Sequence, residues 1–244
     1  MNCCNHFALR PTIYRMAFTQ LLTIIPRHPR HLDLIRDAEN RNMHFLRTLM
    51  AEQSQGRPCP REVADHEGEQ LLLVLDRLCA IMQKTAANQR LLFYLAVSTG
   101  IWIAERRGAI RELDLIVSGI AAFANKATDP AELAELYEVS HCVMEATDSY
   151  LKADLDKRDR RRPWRLLCLN HCIIATRSGN GEYASRAYDR LIEHLPEETE
   201  AFLDMAMNRA RAGRFSPACH SILRAYHTFY CHQQVDHKGA HRLN

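Results

Sequence analysis

The sequence predicts an all-α protein of about ten helices, packed as stacked antiparallel hairpins or an irregular bundle. Three observations carry this. Each long periodic segment places apolar residues at i, i+3, i+4 and i+7, the spacing of one helical face. All nine prolines fall at or near helix ends or in loops. No run alternates with period two between hairpin turns, so no strand is expected. At 244 residues, 47% hydrophobic and 25% charged, the chain is globular and long enough for one large or two small domains.

The elements follow in order. Pro11 to Ile25 sets Ile13, Met16, Leu21 and Ile24 near one face, and Pro26 stops it. Leu32 to Glu52 continues with Leu32, Ile35, Leu46 and Leu49. Ser54 to Pro60 is polar and holds Gly56, Pro58 and Pro60, so it reads as a loop. Arg61 to Lys84 repeats Leu71, Val74 or Leu75, Leu78, and Ile81 or Met82. Asn88 to Glu105 contains the longest apolar run, the 14 residues Leu91 to Ala104. A membrane span needs about 20, so this run predicts a buried core helix.

Gly108 punctuates, and Ala109 to Lys126 carries Ile110, Leu113, Val117 and Ile120. Asp129-Pro130-Ala131-Glu132 is a start signal: a capping aspartate, a proline at the first helical position and a glutamate three residues after the cap. That helix is expected to run to about Asp156, roughly 40 Å at 1.5 Å per residue. Pro163 opens a helix to Arg177, Ser178 to Gly181 turns, and Tyr183 to Leu195 ends at Pro196. Glu197 to Ala212 and Ser216 to Tyr230 complete the set, leaving a polar, frayed tail. The chain therefore reads as an N-terminal helical segment (1–56), a central body (61–156), helical hairpins (163–230) and a flexible tail (231–244).

A formal net charge of +3 is too small to imply a polyanion partner by itself. The charge is concentrated, however. Lys157 to Arg165 holds six positive side chains and one negative, a net of +5, so the remainder sums to −2. Nine cysteines at irregular spacing, behind a start (MNCCNHFALR) with neither an apolar stretch nor a cleavage site, point to thiols in a reducing, cytoplasmic setting.

Residues 201–225, AFLDMAMNRARAGRFSPACHSILRA, combine bulky, small and aromatic residues around a glycine turn: Phe202, Met205, Ala206, Gly213, Phe215, Ala218 and Ala225. This segment resembles a tetratricopeptide repeat, in which small residues let two helices approach while large ones fill the adjoining groove. Arg209 stands where an aromatic is usual, and the closing proline is missing. A weaker unit precedes it, with Trp164 to Arg177 as first helix and Gly181 to Leu195 as second. Gly181-Glu182-Tyr183 echoes Gly213-Arg214-Phe215 at a 32-residue separation, and Gly108-Ala109-Ile110 is a fainter echo. The resemblance implies recognition of another protein in a groove lined by first helices. The matching positions are Leu203, Met207, Ala210 and Arg211, a mixture suited to an apolar helix or extended peptide.

Candidate chemistry is sparse. His141-Cys142, His171-Cys172, Cys219-His220 and Cys231-His232 are adjacent pairs, but neighbours on a helix point about 100° apart and seldom serve one metal. No CxxC, HExxH or paired-knuckle spacing occurs, so neither metal nor cofactor is expected. Were a metal or thiol site present, Cys168, His171 and Cys172 are the residues placed for it. His237 and His241 share i, i+4 spacing, but in a polar tail. Arg158, Arg160, Arg161 and Arg162 carry guanidinium forks that match phosphates, and Trp164 is placed to stack on a base. The same cluster also reads as a solvated loop at the negative end of a helix, or as a contact for an acidic protein. No Gly-rich phosphate loop, GxSxG or other nucleophile signature is present, so no catalytic residue is assigned.

The expected function is a cytoplasmic, non-enzymatic interaction, adaptor or scaffold protein that binds a partner segment through Leu203, Met207 and Arg211. A helical regulator contacting nucleic acid or an acidic partner through residues 157–165 is the second reading. A thiol or metal-binding protein is the third.

Overall fold

The computed structural model describes residues 7–82, 85–155, 157–211 and 215–240 and, of 86, 87 and 231–240, the backbone alone. Among these residues the protein is all-α. Its helices are α1 (Pro11–Ile24), α2 (Leu32–Gln55), α3 (Arg61–Ile81), α4 (Ala86–Glu105), α5 (Asp114–Lys126), α6 (Pro130–Ala146), α7 (Ser149–Lys152), α8 (Pro163–Arg177), α9 (Gly181–His194), α10 (Pro196–Arg211) and α11 (Pro217–Ala240). A 3-10 turn, Pro29–His31, leads into α2. The only pairing outside helices among the described residues is an isolated bridge between Ile110 and Thr147. None of these helices is long and apolar enough to cross a membrane.

The chain folds as two compact units. The first takes in the chain up to Lys126 together with Glu138–Leu155; the second takes in Ala127–Tyr137 and the chain beyond Leu155. Helix α6 thus contributes its first half to the second unit and its second half to the first.

In the first unit α4 is the central helix and packs against α1, α3 and α5, while α2 lies on α1 and α3. Most of its apolar run is buried: Leu92, Leu95, Val97, Ile101, Trp102 and Ile103 are at most 1% exposed, while Leu91, Phe93, Tyr94 and Ala104 are half-buried. Thr99, buried on α4, donates to the Leu95 carbonyl at 2.8 Å and meets the Tyr14 hydroxyl at 3.0 Å. Glycine permits the tight α4–α5 approach, because a Cβ at Gly119 would sit 2.8 Å from Val97 Cγ2 and 3.3 Å from the Phe93 carbonyl oxygen.

One buried ion pair ties three segments of this unit together. Glu52 on α2 accepts from Arg106 Nε at 2.7 Å, Arg106 Nη2 at 2.8 Å, Trp102 Nε1 at 3.1 Å and the Cys59 backbone N–H at 2.7 Å. The Arg106 guanidinium also lies 4.9 Å from the centre of the Trp102 ring. Burial alone would raise the Glu52 pKa, but these donors outweigh it and hold the carboxyl down at about 2.

Helix α2 runs to Gln55, into the expected loop, and α3 stops at Ile81, short of the expected Lys84; three boundaries differ by more. The helix expected over Ala109 to Lys126 begins only at Asp114. Asp65 Oδ1 accepts from the Ala109 backbone N–H at 2.7 Å, and Ile110 pairs with the end of α6 through Ile110 N to Ala146 O at 2.8 Å and Asp148 N to Ile110 O at 2.9 Å. These tertiary bonds replace a helical turn. The long helix expected from Pro130 to about Asp156 stops at Ala146 for the same reason, and Asp148 then caps the short α7 by accepting from Tyr150 N at 2.9 Å. The last helix continues past Tyr230 to Ala240, since no proline or glycine intervenes before Gly239.

The second unit contains two consecutive hairpins, α8–α9 and α10–α11, and α9 packs against both helices of the following hairpin. Gly179, at φ +78°, makes the first hairpin's turn, and Asn180 caps α9 by accepting from Glu182 N and Tyr183 N. Tyr188 of α9 is the hub: its hydroxyl meets Thr176 at 2.7 Å, and its ring lies 6.1 Å from Phe202 and 5.3 Å from Tyr226. The Tyr226 hydroxyl donates to Asp189 at 2.6 Å, and Ser216 Oγ donates to the Gly179 carbonyl at 3.0 Å, joining one hairpin to the next.

Candidate functional site

The residues expected to bind a partner lie on α10, and burial divides them. Phe202, Leu203, Ala206 and Ala210 face the interior, with Leu203 only 1% exposed. Leu203 is therefore a core residue of this unit and not part of an accessible surface. Met207 is half-buried and Arg211 exposed, so the i, i+4, i+8 row from Leu203 climbs from the core to the surface. Met205 lies on the opposite flank of the buried face and is 40% exposed. Of the other residues that carry the repeat resemblance, Phe215 is half-buried, whereas Ala218 and Ala225 are exposed and Cys219 and Leu223 take the buried positions on α11. Gly213, Arg214 and His241 lie outside the described residues, as do the side chains of Cys231, His232 and His237.

The basic stretch is organised by acidic residues from the start of α10. Lys157 Nζ meets Glu197 at 2.9 Å, and Arg162 Nη2 approaches the same carboxylate at 3.6 Å. Arg165 forms two bonds to Glu198, Nε to Oε1 at 2.5 Å and Nη2 to Oε2 at 2.7 Å. The Lys157 ammonium holds the Glu197 carboxyl below the usual carboxylate range, and Arg165 does the same for Glu198. Arg162 is buried at 7% exposure and turns its Nη1 back to the carbonyls of Lys157 at 3.3 Å and Asp159 at 3.0 Å. It is a strut of the loop and presents no open fork to a phosphate.

Trp164 differs from expectation more sharply. It is 2% exposed, its ring centre 5.3 Å from that of His194 in a T-shaped contact, and so offers no face on which a base could stack. Its place in the first turn of α8 aims it into the α8–α9 hairpin. Arg158, Arg160 and Arg161, by contrast, are exposed.

Cys168, His171 and Cys172 are all buried at 1% exposure or less. Cys172 Sγ donates to the Ala187 carbonyl at 3.2 Å, and burial pushes its thiol pKa well up. The His171 ring stacks on Tyr137 at 4.5 Å, and Tyr137 stacks on Tyr183 at 4.0 Å. These residues fill the hairpin core. No group of three or more His, Cys, Asp or Glu side chains among the described residues is arranged to hold a metal ion. No family model, curated protein or solved structure matches the chain.

The ion pairs of Glu52, Glu197 and Glu198 have no local sequence signal. Their partners stand 54, 40 and 33 residues away in Arg106, Lys157 and Arg165.

Proposed function

We propose that this protein is a non-enzymatic interaction protein whose second unit recognises a segment of another protein on the exposed flank of α10, and that this unit is tetratricopeptide-like. The observation that carries the reading is the pair of consecutive hairpins in which α9 packs against both α10 and α11. Such an array builds a rigid surface from helix faces, and its binding residues are side chains not consumed by hairpin packing. On α10 those are Met207 and Arg211 on one flank and Met205 on the other. A flexible thioether suits an apolar partner side chain, and a neighbouring guanidinium suits a carboxylate or a carbonyl. A scaffold or adaptor role, in the cytoplasm, is the corresponding biological setting.

The test is affinity capture with the full chain, comparing wild type with Met207→Glu/Arg211→Glu and with Met50→Glu. Met50 is 62% exposed on α2 of the first unit and serves as the control. The reading expects a defined protein partner that is lost with the α10 variant and kept with the control. A partner retained by the α10 variant removes this surface from the account.

A further inference from the structure

The loop between α7 and α8 has an internal scaffold that leaves three arginines outward. Asp159 Oδ1 accepts from the Arg161 backbone N–H at 2.8 Å, and Arg165 Nη1 donates to the Arg160 carbonyl at 3.0 Å. With the Arg162 bonds to Lys157 and Asp159, the carbonyls of three loop residues are held by two inward arginines. Glu197 and Glu198 anchor the loop to α10. The side chains of Arg158, Arg160 and Arg161 are exposed and form no close ion pair among the described residues, although the Arg160 charge helps to lower the Glu198 carboxyl.

We propose that Arg158, Arg160 and Arg161 form a docking patch for a short acidic segment of a partner protein. Four residues of chain span at most about 11 Å from the first Cα to the last, so the three exposed charges stand on one short stretch of loop. Six cationic side chains, from Lys157 to Arg165, against the carboxylates of Asp159, Glu197 and Glu198 leave a local net charge of +3. The backbone from Asp159 to Arg162 is held by the loop's internal bonds, which lowers the ordering cost of binding there. A guanidinium fork donates two parallel bonds to a carboxylate of such a segment.

An acidic peptide fits this patch better than a nucleic acid does. The only nearby aromatic platform, Trp164, is buried. Three arginines would neutralise about three phosphates, so the electrostatic gain on a nucleic acid is small and falls with salt. The proposal does not depend on the α10 flank.

The test is fluorescence anisotropy with the full chain and a labelled hexaglutamate peptide at low salt, beside hexaglutamine and a hexathymidylate. Saturable binding of hexaglutamate alone is expected. It should weaken about tenfold in Arg158→Ser/Arg160→Ser/Arg161→Ser and by a smaller factor in the single reversal Arg160→Glu. All three residues are exposed, so unchanged circular dichroism and melting are expected and separate lost binding from lost folding. No saturable binding of hexaglutamate, or equal binding by the triple variant, overturns the proposal. Tighter binding of hexathymidylate overturns it in favour of nucleic acid.

Discussion

Arg165 and Glu198 meet as a fork against a carboxylate, with Nε–Oε1 at 2.5 Å and Nη2–Oε2 at 2.7 Å, and only 15% and 23% of the two side chains exposed. This pair fastens the basic loop and the start of α8 to the first turn of α10. A carboxylate there also faces the positive end of the helix dipole, so Glu198 is favoured twice. A double-mutant cycle of Arg165→Ala and Glu198→Ala in urea should give a coupling of about 1 kcal/mol or more, above most exposed pairs because the geometry is bidentate and partly sheltered. Additive effects of the two substitutions would show that the fork holds nothing.

Glu52 predicts an acid-sensitive first unit. Its folded pKa, at about 2, lies below the ordinary carboxylate value of 4.5. A depressed carboxylate contributes stability that is fully present above its unfolded pKa and is lost as pH falls through the folded value. Stability should therefore decline between about pH 5 and pH 2, by about 3 kcal/mol for this group. Glu52→Gln should flatten that part of the profile, and Glu52→Ala should cost about 1.5–3 kcal/mol, because Arg106 loses this fork but keeps the Glu105 carboxylate at 3.0 Å and the Trp102 carbonyl at 3.1 Å. Identical acid profiles for wild type and Glu52→Gln, followed by circular dichroism, would contradict this.

Gly119→Ala sets two effects against each other. Helix propensity favours alanine by about 1 kcal/mol. The new methyl would lie 2.8 Å from Val97 Cγ2, 3.1 Å from Phe93 Cβ and 3.3 Å from a backbone carbonyl oxygen, and the last of these belongs to α4 itself. Overpacking costs about 1–3 kcal/mol, so the net effect should be destabilising. A raised melting temperature for this variant would mean that α4 and α5 separate more easily than their packing implies.

Trp164 is predicted to act by volume and not by its polar edge. Its Nε1–H is buried and makes no hydrogen bond among the described residues. Trp164→Phe should therefore cost less than about 1.5 kcal/mol, whereas Trp164→Ala should cost about 3–5 kcal/mol by opening a cavity. Equal losses in thermal denaturation would assign the indole N–H a partner.

Local signals located most helices, and tertiary bonds account for the misplaced boundaries. Pro163 and the Ser178-Gly179 turn bracket α8 in the sequence as they do in the structure. The start of α5 and the end of α6 were not legible, because Asp65 captures Ala109 from 44 residues away and Ile110 pairs across to Ala146 and Asp148. At the candidate site the density of positive charge was plain in the sequence, but its division was not. Glu197 and Glu198 select Lys157, Arg162 and Arg165 as internal ties and leave Arg158, Arg160 and Arg161 outward. Similarly, Leu203 and Met207 share a helical row, and only the packing of the hairpins shows that the first is core and the second reaches the surface.

The most direct test of recognition through α10 is site-specific photocrosslinking in cells, with a benzophenone side chain in place of Met207 in the full chain and the same group in place of Met50 as reference. The account predicts a discrete adduct with one partner protein at position 207, diminished by Arg211→Glu and missing at position 50. No adduct at 207, or the same adducts at both positions, would contradict it.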